Sequence, residues 1–236
     1  VRIETDAGLT GWAECKAGVG SAAACAGLAA IVNLDYAPLL VGQDPRDISR
    51  LWDVMYNTPR EGYAVAEGHV LPQLGRRGLS ISAIAGVDVA LWDILGKSLG
   101  VPVWRLLGGR RAERMPAYAS GGWADEANIG AQLKGYCDKA GFRAVKMRIG
   151  VMDGSPARSA ARVRAARKAL GPDIRLMADA HGTWTVAEAK AFCRMVEDQD
   201  LYWFEEPVSA DDKQGLAEVR RSSAVPISTG DRKSVV

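Results

Sequence analysis

Apolar and polar positions follow two rhythms along this chain. Val1–Thr5 and Thr10–Glu14 alternate like short strands and flank Asp6-Ala7-Gly8-Leu9, where turn formers stand as a hairpin needs them. A helix is predicted from about Ser21 to Leu34. Another is predicted from Pro45 to Tyr56, with Asp44 placed to cap it and Pro45 at its first position. Asn57–Gly78 mixes Pro, Gly, Arg and His without a period and reads as loop, with room for a short helical piece. Ser80–Leu99 carries Ile84, Val87, Leu91, Ile94 and Leu95 at three- and four-residue intervals, a helix that Gly100 can end. A hairpin followed by helices predicts an α+β domain over residues 1–114.

After Gly108-Gly109 the rhythm changes. Strands are predicted at Met115–Ser120, Phe142–Ile149, Ile174–Ala178, Leu201–Phe204 and Val225–Thr229. Between them lie a helix over Asp125–Lys139 and one that Ser155 caps, starting at Pro156 and ending before Gly171. Thr185-Val-Ala-Glu188 is a capping box opening a third helix, and Ser209-Ala-Asp-Asp212 is a candidate box for a fourth. Five strands alternating with four helices require a parallel sheet with covered faces, either doubly wound or a barrel. A complete eight-unit barrel takes about 250 residues, so residues 115–236 would hold only its first half plus a strand. Periodicity does not choose between the two.

Composition narrows the class without naming a function. Apolar residues make up 48% and charged residues 25%, which excludes disorder and a disulfide-built miniature. Thirty Lys plus Arg against 28 Asp plus Glu leave +2, too little to imply nucleic acid or an anionic membrane as partner. The basic stretch Arg158–Lys168 reads as the solvated face of one helix. Cys15, Cys25, Cys137 and Cys193 have no paired spacing, so isolated, partly buried thiols are expected. The apolar run around Ala22–Val32 is short and alanine-rich, which argues against a membrane span or a secretory signal. The chain opens at Val1 inside a strand pattern without an initiator Met, so its natural start is expected upstream, with the cytoplasm as default location. Gly108-Gly109 and Gly121-Gly122 match no phosphate-binding fingerprint.

The informative residues are acids at strand ends. Asp179, Glu205 with Glu206, and Asp231 each follow a predicted strand, and counting from 179 to 205 and from 205 to 231 gives 26 both times. One strand–helix–strand repeat thus separates successive carboxylates and sets them side by side at one sheet edge. Each acid alone could simply cap the next helix. Three in phase repel one another unless a cation joins them, and all-oxygen ligation suits Mg²⁺. Lys146 and Arg148, two apart on a strand, share one face, while Val145 and Met147 take the other; an exposed charged face is the plainer alternative. His181 follows Asp179 by two residues, on the rim where barrel enzymes carry catalytic loops. His69, in the Pro/Gly loop, reads as a surface histidine.

These residues together resemble the enolase superfamily, in its mandelate racemase and muconate lactonizing enzyme branch. The resemblance spans essentially the whole chain. Thr5-Asp-Ala-Gly-Leu-Thr-Gly-Trp-Ala-Glu14 resembles the family's capping-domain hairpin, and Asp88-Val-Ala-Leu-Trp-Asp-Ile-Leu-Gly-Lys97 with Leu106-Leu-Gly-Gly109 its passage from cap to barrel. Lys146-Met-Arg148, Asp179-Ala-His181, Glu205-Glu-Pro207 and Gly230-Asp231 resemble its successive barrel strands. The resemblance implies an α+β capping domain over 1–114, then a (β/α) TIM-type barrel over 115–236 that is truncated to about its first half. It implies Mg²⁺ held by Asp179, Glu205 and Asp231, with Lys146, Arg148 and His181 as catalytic residues.

What the resemblance implies for chemistry is a Mg²⁺-dependent lyase that removes the proton beside a carboxylate, through an enediolate, and dehydrates a sugar acid, an aldonate or aldarate. Many relatives have a second lysine where this chain has Arg148. Arginine keeps its proton and is a poor base, so Arg148 reads as a clamp on the substrate carboxylate. His181 stands where several acid-sugar dehydratases carry a catalytic histidine, able to act as base or acid. The alternatives are a racemase, epimerase or cycloisomerase of the same branch, and an inactive truncated fragment. The implied partners are a small carboxylate substrate and further copies of the chain as a homo-oligomer, with neither nucleic acid nor membrane.

Overall fold

The structure, a computed structural model, describes residues 1–16, 21–66 and 78–229, with the backbone alone for 58–66. The residues segregate into two compact units, Val1–Glu113 and Arg114–Val236.

In the first unit, β1 (Arg2–Glu4) and β2 (Thr10–Trp12) pair antiparallel with Ile3 opposite Gly11. α1 (Ala22–Ala30) runs through a π-helical stretch, Ile31–Tyr36, into α2 (Ala37–Leu40). α3 covers Ile48–Ala66, α4 covers Leu79–Leu99 and α5 covers Val103–Leu106. Ala83, Ile84, Val87 and Leu91 of α4 pack with Leu28, Tyr36, Leu51 and Met55 in one buried cluster. The hairpin lies directly on α4: a Cβ at Gly11 would fall 2.2 Å from the carbonyl oxygen of Ala90, so only glycine permits the approach.

Three expectations for this unit change. The apolar stretch at Ala22 is not short. It stays helical to Leu40, and both Ala22–Leu40 and Leu79–Leu99 have the length and apolar composition to cross a membrane; the buried Leu28 and Tyr36 dock the first of them within the unit. Asp44 does not cap a helix starting at Pro45. It accepts from the Arg46 backbone N–H at 2.9 Å in a turn, and α3 begins at Ile48. α3 also continues ten residues past Tyr56, through Pro59 and Gly62, because a helix already nucleated extends at far lower cost than it starts. His69 lies outside the described residues.

The second unit alternates β3 (Ala119–Gly121), α6 (Ile129–Ala140), β4 (Ala144–Arg148), α7 (Pro156–Leu170), β5 (Arg175–Asp179), α8 (Val186–Met195), β6 (Leu201–Glu205), α9 (Lys213–Arg221) and β7 (Ile227–Ser228). All neighbouring strands pair parallel, in the order β3-β4-β5-β6-β7. A doubly wound sheet reverses its strand order at a switch point. This one advances without reversal, as a barrel does. β3 lies C-terminal of its expected place: Met115 is 75% exposed and precedes the strand. Thr185 and Glu188 form the expected capping box of α8. At α9 there is no box; Asp212 alone caps the helix, accepting from the Gly215 N–H at 2.8 Å.

The two sheet faces have different chemistry. Val145, Met147, Leu176, Ala178 and Phe204 face the helices, buried with Leu133, Val163, Phe192 and Val219. Phe192 stands 4.9 Å from Phe204 and 5.1 Å from Trp184, ring centre to ring centre. The opposite face carries Lys146, Arg148, Asp179 and Glu205. A bulge sets this phase. Leu201 stands opposite Leu176, yet Trp203 stands opposite Met177, so β6 holds one extra residue there. That residue lets both Leu201 and Phe204 reach the core and brings Glu205 level with Asp179.

Candidate metal and acid–base site

Arg148 stands opposite Asp179, Asp179 opposite Glu205, and Glu205 opposite Ser228, one row at the C-terminal ends of four parallel strands. Lys146 lies one step below on the same face. Its Nζ is 2.6 Å from Glu205 Oε1 and 3.2 Å from Asp179 Oδ2. Arg148 Nη1 donates to Asp179 Oδ1 at 3.0 Å. These are not surface pairs: the side chain of Lys146 is 10% exposed and that of Asp179 is 7%. Burial alone would lower the pKa of Lys146, but its hydrogen bond to Glu205 and the charges of Asp179 and Glu205 outweigh that and hold it above its ordinary value. Lys146 is therefore an ammonium in this arrangement.

The loops beyond the strands complete the cluster. The His181 backbone N–H donates to Asp179 Oδ1 at 2.9 Å, and His181 Nδ1 lies 3.5 Å from Glu206 Oε2. One potential ligand atom from each of Asp179, His181 and Glu206 lies within 4.8 Å of the others. Both His181 (φ 52°) and Glu206 (φ 44°) take the left-handed backbone, at a cost of order 1–3 kcal/mol for each such residue. In a regular strand, Glu205 and Glu206 would face opposite sides. The strand ends at Glu205, and left-handed geometry follows at Glu206, whose carboxylate groups with Asp179 and His181. Glu206 Oε1 is buried and has no hydrogen-bond partner among the described residues. A buried carboxylate oxygen without a donor, on a residue grouped with the Asp179 carboxylate, fits a hard divalent cation.

Of the residues expected from sequence, Lys146, Arg148, Asp179, His181 and Glu205 come together. Asp231 lies outside the described residues. Sequence reasoning assigned no site role to four contributors. Glu206 was hidden behind its neighbour. Trp203 donates its indole N–H to Glu205 Oε2 at 2.9 Å, and the Tyr118 ring lies 5.6 Å from Lys146 Nζ. The fourth is Arg162, expected on a solvated face but buried. Its guanidinium donates to the carbonyls of Gly122, Ala124 and Arg148 at 2.9 to 3.1 Å and to Asp153 Oδ1 at 2.8 Å. Only the pattern of α7 could have shown this, because Arg162 shares a helix face with Ser159, Val163 and Ala166.

Comparison with known proteins identifies the family. Residues 1–108 match the mandelate racemase/muconate lactonizing enzyme N-terminal domain, and residues 128–234 match the enolase C-terminal domain-like family. A D-galactarolactone cycloisomerase of Agrobacterium fabrum is 37% identical over 235 residues, covering 98% of this chain and 56% of that protein. A D-galactonate dehydratase of Verminephrobacter eiseniae is 38% identical over 240 residues, covering 98% and 57%. A mandelate racemase/muconate lactonizing protein from Paracoccus denitrificans, crystallised with magnesium, superposes with a TM-score of 0.78 at 31% identity, covering 98% of this chain and 60% of that one. The chain thus spans a little over half the length of these relatives. With both domain families matched in order, the chain belongs to the mandelate racemase/muconate lactonizing enzyme branch of the enolase superfamily.

Proposed function

We propose that this chain carries the first part of a Mg²⁺-dependent active site that dehydrates a sugar acid. The observation carrying the proposal is the row Arg148–Asp179–Glu205 beside Lys146, with the partnerless oxygen of Glu206 at its edge. Asp179 and Glu205 would hold the cation, assisted by Glu206, with Asp231 as the further expected ligand. Bound Mg²⁺ supplies the electrophile that makes a proton beside a carboxylate acidic enough to remove. Arg148, fixed at one edge by Asp179, turns its remaining N–H groups to the substrate carboxylate. Lys146 adds a second buried positive charge where negative charge develops. His181, on the rim with a half-exposed ring, moves the proton.

The barrel that the sequential strand order begins, its closure by further strands, the cytoplasm as compartment and self-association as a homo-oligomer belong to this proposal. A second reading, cycloisomerisation, is favoured by a specific observation: relatives named for it match as well as those named dehydratases. The test is incubation of the chain with Mg²⁺ and a panel of aldonic and aldaric acids, following 2-keto-3-deoxy acid formation and solvent deuterium exchange at the α-carbon. Keto acid formation supports dehydration. Exchange without water loss moves the assignment to the isomerase reading. Neither, across the panel, refutes the proposal for this chain.

A further inference from the structure

Trp123, in the loop after β3, is 58% exposed. Its ring lies 5.2 Å from the Arg148 guanidinium carbon. On one side it borders a recess of about 190 Å³ shared with Lys146, Arg148 and Asp179. On the other it borders a recess of about 380 Å³ lined by Asp125, Glu126, Met152 and Arg158, with Asp153 and Arg162 beneath. The indole is the wall common to both.

An exposed tryptophan needs no explanation by itself; here the backbone carrying it is pinned on both sides. The Gly122 and Ala124 carbonyls accept from Arg162 at 3.1 and 2.9 Å, and the Ala124 N–H donates to Gln132 Oε1 at 3.0 Å. Gly122 (φ 74°) runs so close to β4 that a Cβ there would fall 2.7 Å from the Cβ of Met147. An aromatic side chain on a backbone fixed at the mouth of a charged recess is placed to meet a ligand.

We infer that Trp123 is the specificity-determining residue that receives the substrate's chain beyond its reacting carboxylate, and that this chain is neutral and hydroxylated. The inference rests on the sugar-acid reading above. With the carboxylate end among Lys146 and Arg148, the remaining carbons cross the indole toward the second recess. Their C–H groups meet the electron-rich ring face. Charge then chooses between acids with one carboxylate and acids with two. Asp153 and Arg162 neutralise each other at 2.8 Å. Asp125 and Glu126 are left against Arg158 alone, an excess of one negative charge that disfavours a second carboxylate.

The test is titration calorimetry of the whole chain in excess Mg²⁺ with three probes: galactonate, galactarate (the same carbon chain with carboxylates at both ends) and glycolate, which has no chain to stack. The parent binds galactonate more tightly than either other acid. Trp123→Ala weakens galactonate roughly 3- to 10-fold and leaves glycolate within about 2-fold, while Trp123→Phe keeps most of the preference. Asp125→Asn with Glu126→Gln narrows the gap between galactonate and galactarate. A merely structural role for Trp123 would weaken all three acids together. Equal loss for galactonate and glycolate, no loss at all, or tighter galactarate binding by the parent overturns the inference and leaves the proposed function standing. If no acid binds the parent in Mg²⁺, the proposed function falls and this inference falls with it.

Discussion

Replacing Arg162 by Met should destabilise the second unit more than any surface arginine replacement. The side chain is 6% exposed, as is that of its partner Asp153, and they meet at 2.8 Å. Removing one member of a buried ion pair leaves the other charge uncompensated, at a cost of about 3–5 kcal/mol. Among the described residues, Asp153 would keep only the Ser159 hydroxyl, at 2.5 Å, as a side-chain donor. The Ala124 and Arg148 carbonyls would lose a donor too, whereas Gly122 would keep the Arg148 N–H at 3.2 Å. Asp153→Asn should be milder, because Arg162 would still face three carbonyl oxygens. The double variant should therefore lose less than the sum of the two, with a coupling of roughly 1–3 kcal/mol. Urea unfolding followed by circular dichroism measures this. At an m-value of about 2 kcal/mol/M, Arg162→Met should lower the midpoint by roughly 2 M. A shift below about 0.5 M, or damage from Asp153→Asn as large as from Arg162→Met, would refute the reasoning.

Phe192→Ala, which empties the centre of the Trp184–Phe192–Phe204 cluster, should cost about 3–5 kcal/mol in the same assay. The capping box of α8 should titrate. Hydrogen bonds from the Thr185 backbone N–H and hydroxyl hold the Glu188 carboxyl below its ordinary value of 4.5. A lowered folded-state pKa gives stability that is present above the unfolded value and is lost as pH falls through the folded one. The advantage of the parent over Glu188→Gln in urea midpoint should thus be full at neutral pH and fade below about pH 4.5; a pH-independent difference would show that the charge is irrelevant to the cap.

The alternating elements of the second unit were readable because one parity of β4 and of β5 is apolar and the helices carry their own caps, Ser155 at α7 and Thr185 at α8. Lys146, Arg148, Asp179 and Glu205 were readable for a related reason: strand parity and a repeated spacing place them without knowledge of contacts. Features that depend on departures from regularity were not readable. The bulge at β6 is invisible in the uniformly apolar Leu201-Tyr-Trp-Phe204. Glu206 joins the site only through a left-handed backbone that its residue type does not announce. Arg162 looked like one charge among many in α7, since its acceptors are backbone carbonyls of distant loops. The extension of α3 past Pro59 ran against local propensity and followed from the length of the helix already formed.

The central claim is that the carboxylates ending β5 and β6 form a divalent cation site, and Mg²⁺ titration calorimetry of the whole chain tests it most directly. The account predicts saturable binding at one site, abolished by Asp179→Asn and by Glu205→Gln, with far-ultraviolet circular dichroism unchanged in both variants. Unaltered Mg²⁺ binding by either folded variant, or no saturable binding by the parent, would contradict it.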